Sequence, residues 1–284
     1  MAHALSLATS MACGPKAQFG TMAKSFHAGL AAHHAVTSAE LASAGLEGSL
    51  EVLEAPMGFL EHFGGKFPLG WKEALVGFGK NLAILEYGVI PKRHPCCAST
   101  HKCLDALLDL RQIHDFGADD VESVHTIVGN SNKRNLSYNN PQNVREAKFS
   151  MQYCIALALL QDKLRISDFS TEVIFRPELR EPIPKISMEA FPLEMEKRTE
   201  TSLEHEVSVR LKDGRIFGAK RAYPRGSIHD PFSSSDWNEK FADCVSGKLQ
   251  RIASFELKSV LTQFETVSDL GTITQLFRFP SEYI

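Results

Sequence analysis

Three short stretches hold the side chains that can do chemistry. KSFH (24–27) and KRHPCCASTH (92–101) each set lysine and histidine at what reads as the opening of a helix, and EAKFSMQYC (146–154) sets Lys, Ser and Tyr there. The first turn of a helix has N–H groups without intrahelical partners and a partial positive charge, so it suits an anion. Lys24 and Lys92 add fixed positive charge, which makes a carboxylate the fitting anion. A histidine in such a field gives up its proton more easily, so His27 and His101 could serve as general bases or as neutral hydrogen-bond donors. Ser150 and Tyr153 fall on one helix face as candidate substrate contacts. The competing readings are a solvated surface charge for each lysine, a satisfied structural histidine for His27 and His101, and core packing for Phe149 and Tyr153.

The elements that must position these groups follow from hydrophobic period and punctuation. Residues 1–13 suit a helix ended by Gly14-Pro15, and an Ala-rich run from an N-cap at Ser25 to a C-terminal glycine at Gly45 suits a second. A short helix fits Pro56 to Phe63, ahead of the glycine-rich GGKFPLGWK, so residues 1–80 read as all-helical. Strand signals then appear at Ile84 to Ile90, at 121–128, and as a hairpin of 204–211 and 215–223 about Lys212-Asp213-Gly214. Helices fit 99–113, 148–161 and 177–181, and the pattern returns to helix at 236–248, 251–264 and 268–277. Helical, then mixed, then helical predicts an α+β protein: a helical domain formed by 1–86 and 225–284, with an α+β domain of 87–224 inserted as a lid.

Composition excludes several classes. The 284 residues are 43% hydrophobic and 23% charged with net charge −3, ordinary for a globular protein and without the basic footprint of a nucleic-acid binder. No apolar run reaches the roughly 20 residues of a membrane span. The N-terminus has no Lys or Arg before Lys16, which argues against a secretory signal and for a cytoplasmic chain. Six cysteines do not make a disulfide scaffold here. The cluster Cys96, Cys97, His101 and Cys103 lacks the CxxC pairs of structural metal sites, so it reads as reduced thiols at a helix start and no metal is expected. Nucleotide-binding and nucleophile-elbow motifs are absent from the sequence.

The segments GTMAKSFHAGLAAHHAV, LEAPMGF, PKRHPCCASTHKCLDA, NPQNVREAKFSMQY, LKDGR and RGSIHDPFS occur in the order found in the MmgE/PrpD family, which the sequence resembles over nearly its whole length. That family includes 2-methylcitrate dehydratase, cis-aconitate decarboxylase and iminodisuccinate epimerase. The resemblance implies a helical domain with an inserted lid, a homodimer, and chemistry without metal or organic cofactor. It implies that Lys24 and Lys92 are active-site lysines, that His101 is the histidine at the helix start, and that Tyr153 is an aromatic residue at the lid. Cys97 stands where the family's decarboxylases have a catalytic histidine. A thiol moves protons only when its pKa is lowered, so the departure points away from cis-aconitate decarboxylation. Family members also carry a long helical stretch ahead of the segment where this sequence starts, which implies a fragment or a reduced member.

Together these readings predict a lyase that dehydrates a small hydroxy-polycarboxylate such as 2-methylcitrate. Lys24 and Lys92 would hold carboxylates, and His101 with Cys97 would move protons. The alternatives are an epimerase acting on a small dicarboxylate and a non-catalytic family member. Helices 22–45 and 236–277 are expected to expose apolar faces, with self-association as the consequence.

Overall fold

The computed structural model describes residues 1–19, 21–64, 76–80, 82–198, 203–249 and 251–276. It divides into two compact units, Met1–Val89 and Ile90–Ile284. Most of the GGKFPLGWK loop lies outside the described residues.

The first unit is built from helices Ala2–Ser10, Met22–Ser43, Phe59–Gly64 and Ala83–Glu86. The first two pack on each other: His34 Nδ1 lies 3.0 Å from the Met11 carbonyl, which ends the first helix, and Ser38 Oγ lies 3.6 Å from Met11 Sδ. The long helix starts at Met22 after Thr21, not at Ser25, because the Lys24 N–H already bonds to the Thr21 carbonyl. Lys24 therefore sits in its first turn. Gly45, just past its end, has φ +96°, the left-handed conformation that favours glycine there. Phe26 and Val36 are 62% and 60% exposed, so this helix does present apolar side chains to the surface.

The strand expected over Ile84 to Ile90 is not formed. Ala83–Glu86 closes a helical turn instead, with Tyr87 N–H on the Ala83 carbonyl and Gly88 N–H on that of Ile84. Gly88 (φ +68°) then turns the chain out. β-Prone residues make a strand only where a neighbour completes the ladder, and the described residues supply none.

The second unit is mixed helix and sheet, as an α+β reading requires. Its four strands are β1 (Val121–Val128), β2 (Ile186–Ala190), β3 (His205–Leu211) and β4 (Ile216–Arg221), in spatial order β2-β1-β3-β4. β1 and β2 are parallel, with Val124 opposite Ile186; β1–β3 and β3–β4 are antiparallel. The hairpin turns at Gly214 (φ +90°) as the Asp-Gly pair predicts. Alternate residues Val207, Val209 and Leu211 of β3 point inward, joining Val121, Val124 and Val128 of β1. This face packs with helices His101–His114 and Met151–Leu160 around one core. The helix expected over 148–161 is two: Val144–Lys148, then Met151–Leu160, broken by Ser150 in an extended conformation. Helices Ser234–Val245, Arg251–Thr262 and Gly271–Leu276 follow, with Phe255 75% and Ile252 73% exposed. No helix among the described residues is long and apolar enough to cross a membrane.

Candidate functional site

The site is built on the start of helix His101–His114. Pro91 and Pro95 restrict the approach, Cys97 is extended, and a 3-10 turn Ala98–Thr100 leads into the helix. The Cys97 N–H donates to the Lys148 carbonyl at 2.8 Å, and Thr100 Oγ1 donates back to the Cys97 carbonyl at 2.8 Å. These bonds fix the turn against the break between the two helices at Ser150.

Asp105 is the anchor beneath it. Spaced four residues from His101, it lies on the same helix face, fully buried. Its Oδ1 accepts from His94 Nε2 at 3.0 Å and from the Arg93 guanidinium at 2.9 Å, and its Oδ2 accepts the Arg225 N–H at 2.9 Å. Burial alone would raise this carboxyl; hydrogen bonding and charge from His94, the Arg225 N–H and the Arg93 charge outweigh it and hold the pKa down to about 2. His94 is itself buried, and burial lowers its pKa against the pull of Asp105, so the imidazole is neutral at neutral pH.

The His94 and His101 rings meet edge to face with centroids 5.1 Å apart. His101 is 2% exposed, and its Nε2 has no hydrogen-bond partner among the described residues. Leaving a buried polar atom unpaired costs about 1–3 kcal/mol, and among the described residues His205 Nδ1 and Gln152 Oε1 are in the same state. Cys96 Sγ lies 3.1 Å from Thr100 Oγ1. Burial raises its thiol, but hydrogen bonds from Cys154 and His101 outweigh this and lower it, while Cys154 is pushed up by burial and by its neighbour. Cys97 is buried beside it, and Lys92 is exposed with Nζ 3.2 Å from the Cys96 carbonyl.

The segment RGSIHDPFS closes the arrangement. Gly226 (φ +98°) comes so near Pro91 that an added Cβ would lie 2.9 Å from its carbonyl oxygen. Arg225 then pairs with Asp230 at 2.6 Å and Asp236 at 2.8 Å, and Arg221 with Asp109 at 2.6 Å. A cavity of 340 Å³ opens beside the site, lined by Arg93, His94, Arg165 and Lys240 among others; Lys92, Cys97 and His101 do not line it.

Lys92, Cys97 and His101 are thus brought into one turn. Ser150 and Tyr153 lie in the same unit with their polar atoms engaged in the fold: Ser150 Oγ caps the Met151–Leu160 helix by accepting the Tyr153 N–H at 3.1 Å, and the Tyr153 hydroxyl donates to the Asp168 carbonyl at 2.7 Å. Tyr153 is fully buried against Phe169. Lys24 and His27 belong to the first unit, Lys24 exposed with Nζ 5.0 Å from the Phe19 ring and His27 half-buried against Gly14. Asp105 and Arg225 had not been singled out from sequence, although a lone carboxylate in the apolar run Cys103 to Leu108 is the signal that marks a paired buried acid. Among the described residues no group of three or more His, Cys, Asp or Glu is arranged to hold a metal ion.

Residues 94–262 match the MmgE/PrpD C-terminal domain and residues 1–72 the MmgE/PrpD N-terminal domain. The chain is 28% identical to the cis-aconitate decarboxylase of Mus musculus over 98% of its own length and 57% of that protein's. It is 30% identical to the cis-aconitate decarboxylase of Homo sapiens, over 98% of its own length and 58% of the relative's. It spans a little over half the length of these curated relatives. The turn that carries Lys92, Cys97 and His101 leads into the larger matched region, and the chain belongs to the MmgE/PrpD family.

Proposed function

We propose that this chain carries the chemistry of a lyase acting on a small polycarboxylate, by proton transfer at the carbon α to a carboxylate. The observation that supports it most is the helix start of the second unit, where the buried His101, its Nε2 without a partner among the described residues, sits against an Asp105-held His94 in the turn that also carries Lys92. Lys92 would neutralise a carboxylate and the developing enolate, since fixed charge stabilises most where charge forms. His101 and Cys97 would move protons, a contribution of about 10²–10⁴-fold in rate.

The finer reading is dehydration of a hydroxy acid such as 2-methylcitrate: the α-proton is removed and hydroxide leaves as water. It is supported by the thiol at Cys97, which is less suited than an imidazole to deliver a proton near neutral pH. Decarboxylation of cis-aconitate is the second reading, favoured by the two relatives. The family resemblance further suggests a homodimer. Incubating the purified chain with 2-methylcitrate, citrate and cis-aconitate and resolving products by NMR separates the readings. Unsaturated acid formed from 2-methylcitrate supports dehydration, CO2 released from cis-aconitate supports decarboxylation, and α-deuterium uptake without loss of either would point to an epimerase.

A further inference from the structure

A second cavity of the Ile90–Ile284 unit, 880 Å³ in volume, is lined by residues of the edge strand β2, of the segment 133–140 and of the turn 180–184. Lys92, Cys97 and His101 do not line it, so it lies outside the candidate reacting turn. Its charged lining is one-sided: Lys133 and Arg180 line it and no carboxylate does. Lys133 is exposed and has no ion-pair partner among the described residues. The Arg180 guanidinium donates to two neutral acceptors, the Pro141 carbonyl at 2.7 Å and the Asn140 side-chain oxygen, which leaves it further N–H donors and an unmatched charge. The acids next to these elements are occupied elsewhere, Glu181 with Lys185 at 3.5 Å and Glu189 with His125 at 3.9 Å.

The remaining polar lining is amide. Asn139, Asn140 and Gln152 all contribute, and Gln152 Nε2 donates to Asn139 Oδ1 at 3.3 Å, which holds the buried carboxamide beside a lining residue. Gln152 Oε1 has no hydrogen-bond partner among the described residues. Ile183 and Pro184 add apolar surface, and no aromatic side chain lines the cavity. Two unmatched cations suit a dianion, and the planar fork of an arginine matches phosphate. The volume falls within the roughly 300–1,000 Å³ of small-molecule sites, far more than a bare phosphate fills, so the anion has an organic part. Carboxamides donate and accept, as hydroxyl groups do, whereas a nucleobase would find no aromatic face to stack on.

We propose that this cavity is a binding site for a sugar phosphate, with Lys133 and Arg180 on the phosphate and the Asn139–Gln152 amide pair on the sugar hydroxyls. The site is separate from the lyase reading, sharing neither its residues nor its ligand.

Ribose 5-phosphate is the probe, titrated by calorimetry against the unaltered chain beside ribose and inorganic phosphate, its two halves. It binds more tightly than either half. Lys133→Glu, at an exposed position, weakens it by roughly tenfold or more with an unchanged circular dichroism spectrum. Lys163→Glu, the same change of charge at the 340 Å³ cavity, leaves the affinity within about threefold. Asn139→Ala weakens ribose 5-phosphate and leaves inorganic phosphate unchanged. An unaltered chain that does not bind ribose 5-phosphate overturns the proposal, as does equal affinity in Lys133→Glu. Inorganic phosphate bound as tightly as ribose 5-phosphate overturns the sugar half of the assignment. None of these results bears on the lyase reading, which the substrate panel tests by itself.

Discussion

Asp105→Asn is the perturbation that bears most directly on how the site is held. The carboxylate receives three donors, from His94, Arg93 and the Arg225 main chain, with no exposure to solvent. An amide of the same shape keeps one acceptor oxygen and turns an NH2 group toward donors that had faced the other. At least one buried donor then loses its partner, at about 1–3 kcal/mol, and the His94 and Arg93 pairing loses its charge. Breaking a buried pair from one side costs about 3–5 kcal/mol in comparable cases; the two figures describe the same loss and do not add, so roughly 3 kcal/mol, where they meet, is expected. For a chain of a few hundred residues that lowers Tm by about 6–12 °C, at about 2–4 °C per kcal/mol. Urea unfolding followed by circular dichroism measures it, with Asp109→Asn as the comparison. Asp109 is 42% exposed, and its pairing with Arg221 is worth under about 1 kcal/mol after screening. If Asp105→Asn cost no more than Asp109→Asn, the buried carboxylate would not be the anchor described here.

Other consequences are open to test. Burial, with the charge of Lys102, lowers the His205 pKa to about 4. The unfolded chain therefore takes up this proton first as pH falls, and stability declines between about pH 6.5 and 4 by roughly 3 kcal/mol. Urea midpoints across that window should flatten in His205→Gln, and an unchanged slope would assign the decline elsewhere. The depressed Asp105 acts lower, its contribution present above about pH 4 and lost as pH falls through about 2. Gly226→Ala would force a side chain into left-handed φ and against the Pro91 carbonyl, costing more than about 1 kcal/mol in denaturant stability; a neutral result would mean the loop can move aside. Ser150→Ala should cost about 1 kcal/mol through loss of the helix cap, and a fall in substrate affinity without a fall in stability would instead make Ser150 a ligand contact.

Much of this molecule is written locally. The Asp213-Gly214 hairpin, the alternating strand at 121–128 and the glycine after the long helix carry their own turn, cap or period and are where the sequence places them, and the helix expected from residue 99 opens as a 3-10 turn at Ala98 and becomes α-helical at His101. What failed depended on partners distant in sequence. Ile84 to Ile90 has strand composition but no neighbour to pair with among the described residues. The missed β2 is five residues long and exposes its alternate positions, and only pairing with β1 makes it a strand. The break at Ser150 is the exception, since its cap on the Tyr153 N–H is local and a serine at that position is itself an N-cap signal. Dependence on distant partners holds at the site too. Lys92, Cys97 and His101 announce themselves by crowding into one turn, whereas Asp105 and Arg225 are joined only by folding, across a long stretch of chain.

The most direct test of the proposed chemistry is turnover by Lys92→Ala on whichever polycarboxylate the unaltered chain converts. Lys92 is exposed, and its one hydrogen bond within the described residues is to a main-chain carbonyl, so the substitution leaves the core intact. Turnover lost in a chain that still unfolds at the original urea midpoint is the predicted result. Full activity in Lys92→Ala would contradict the assignment of the helix start as the reacting site.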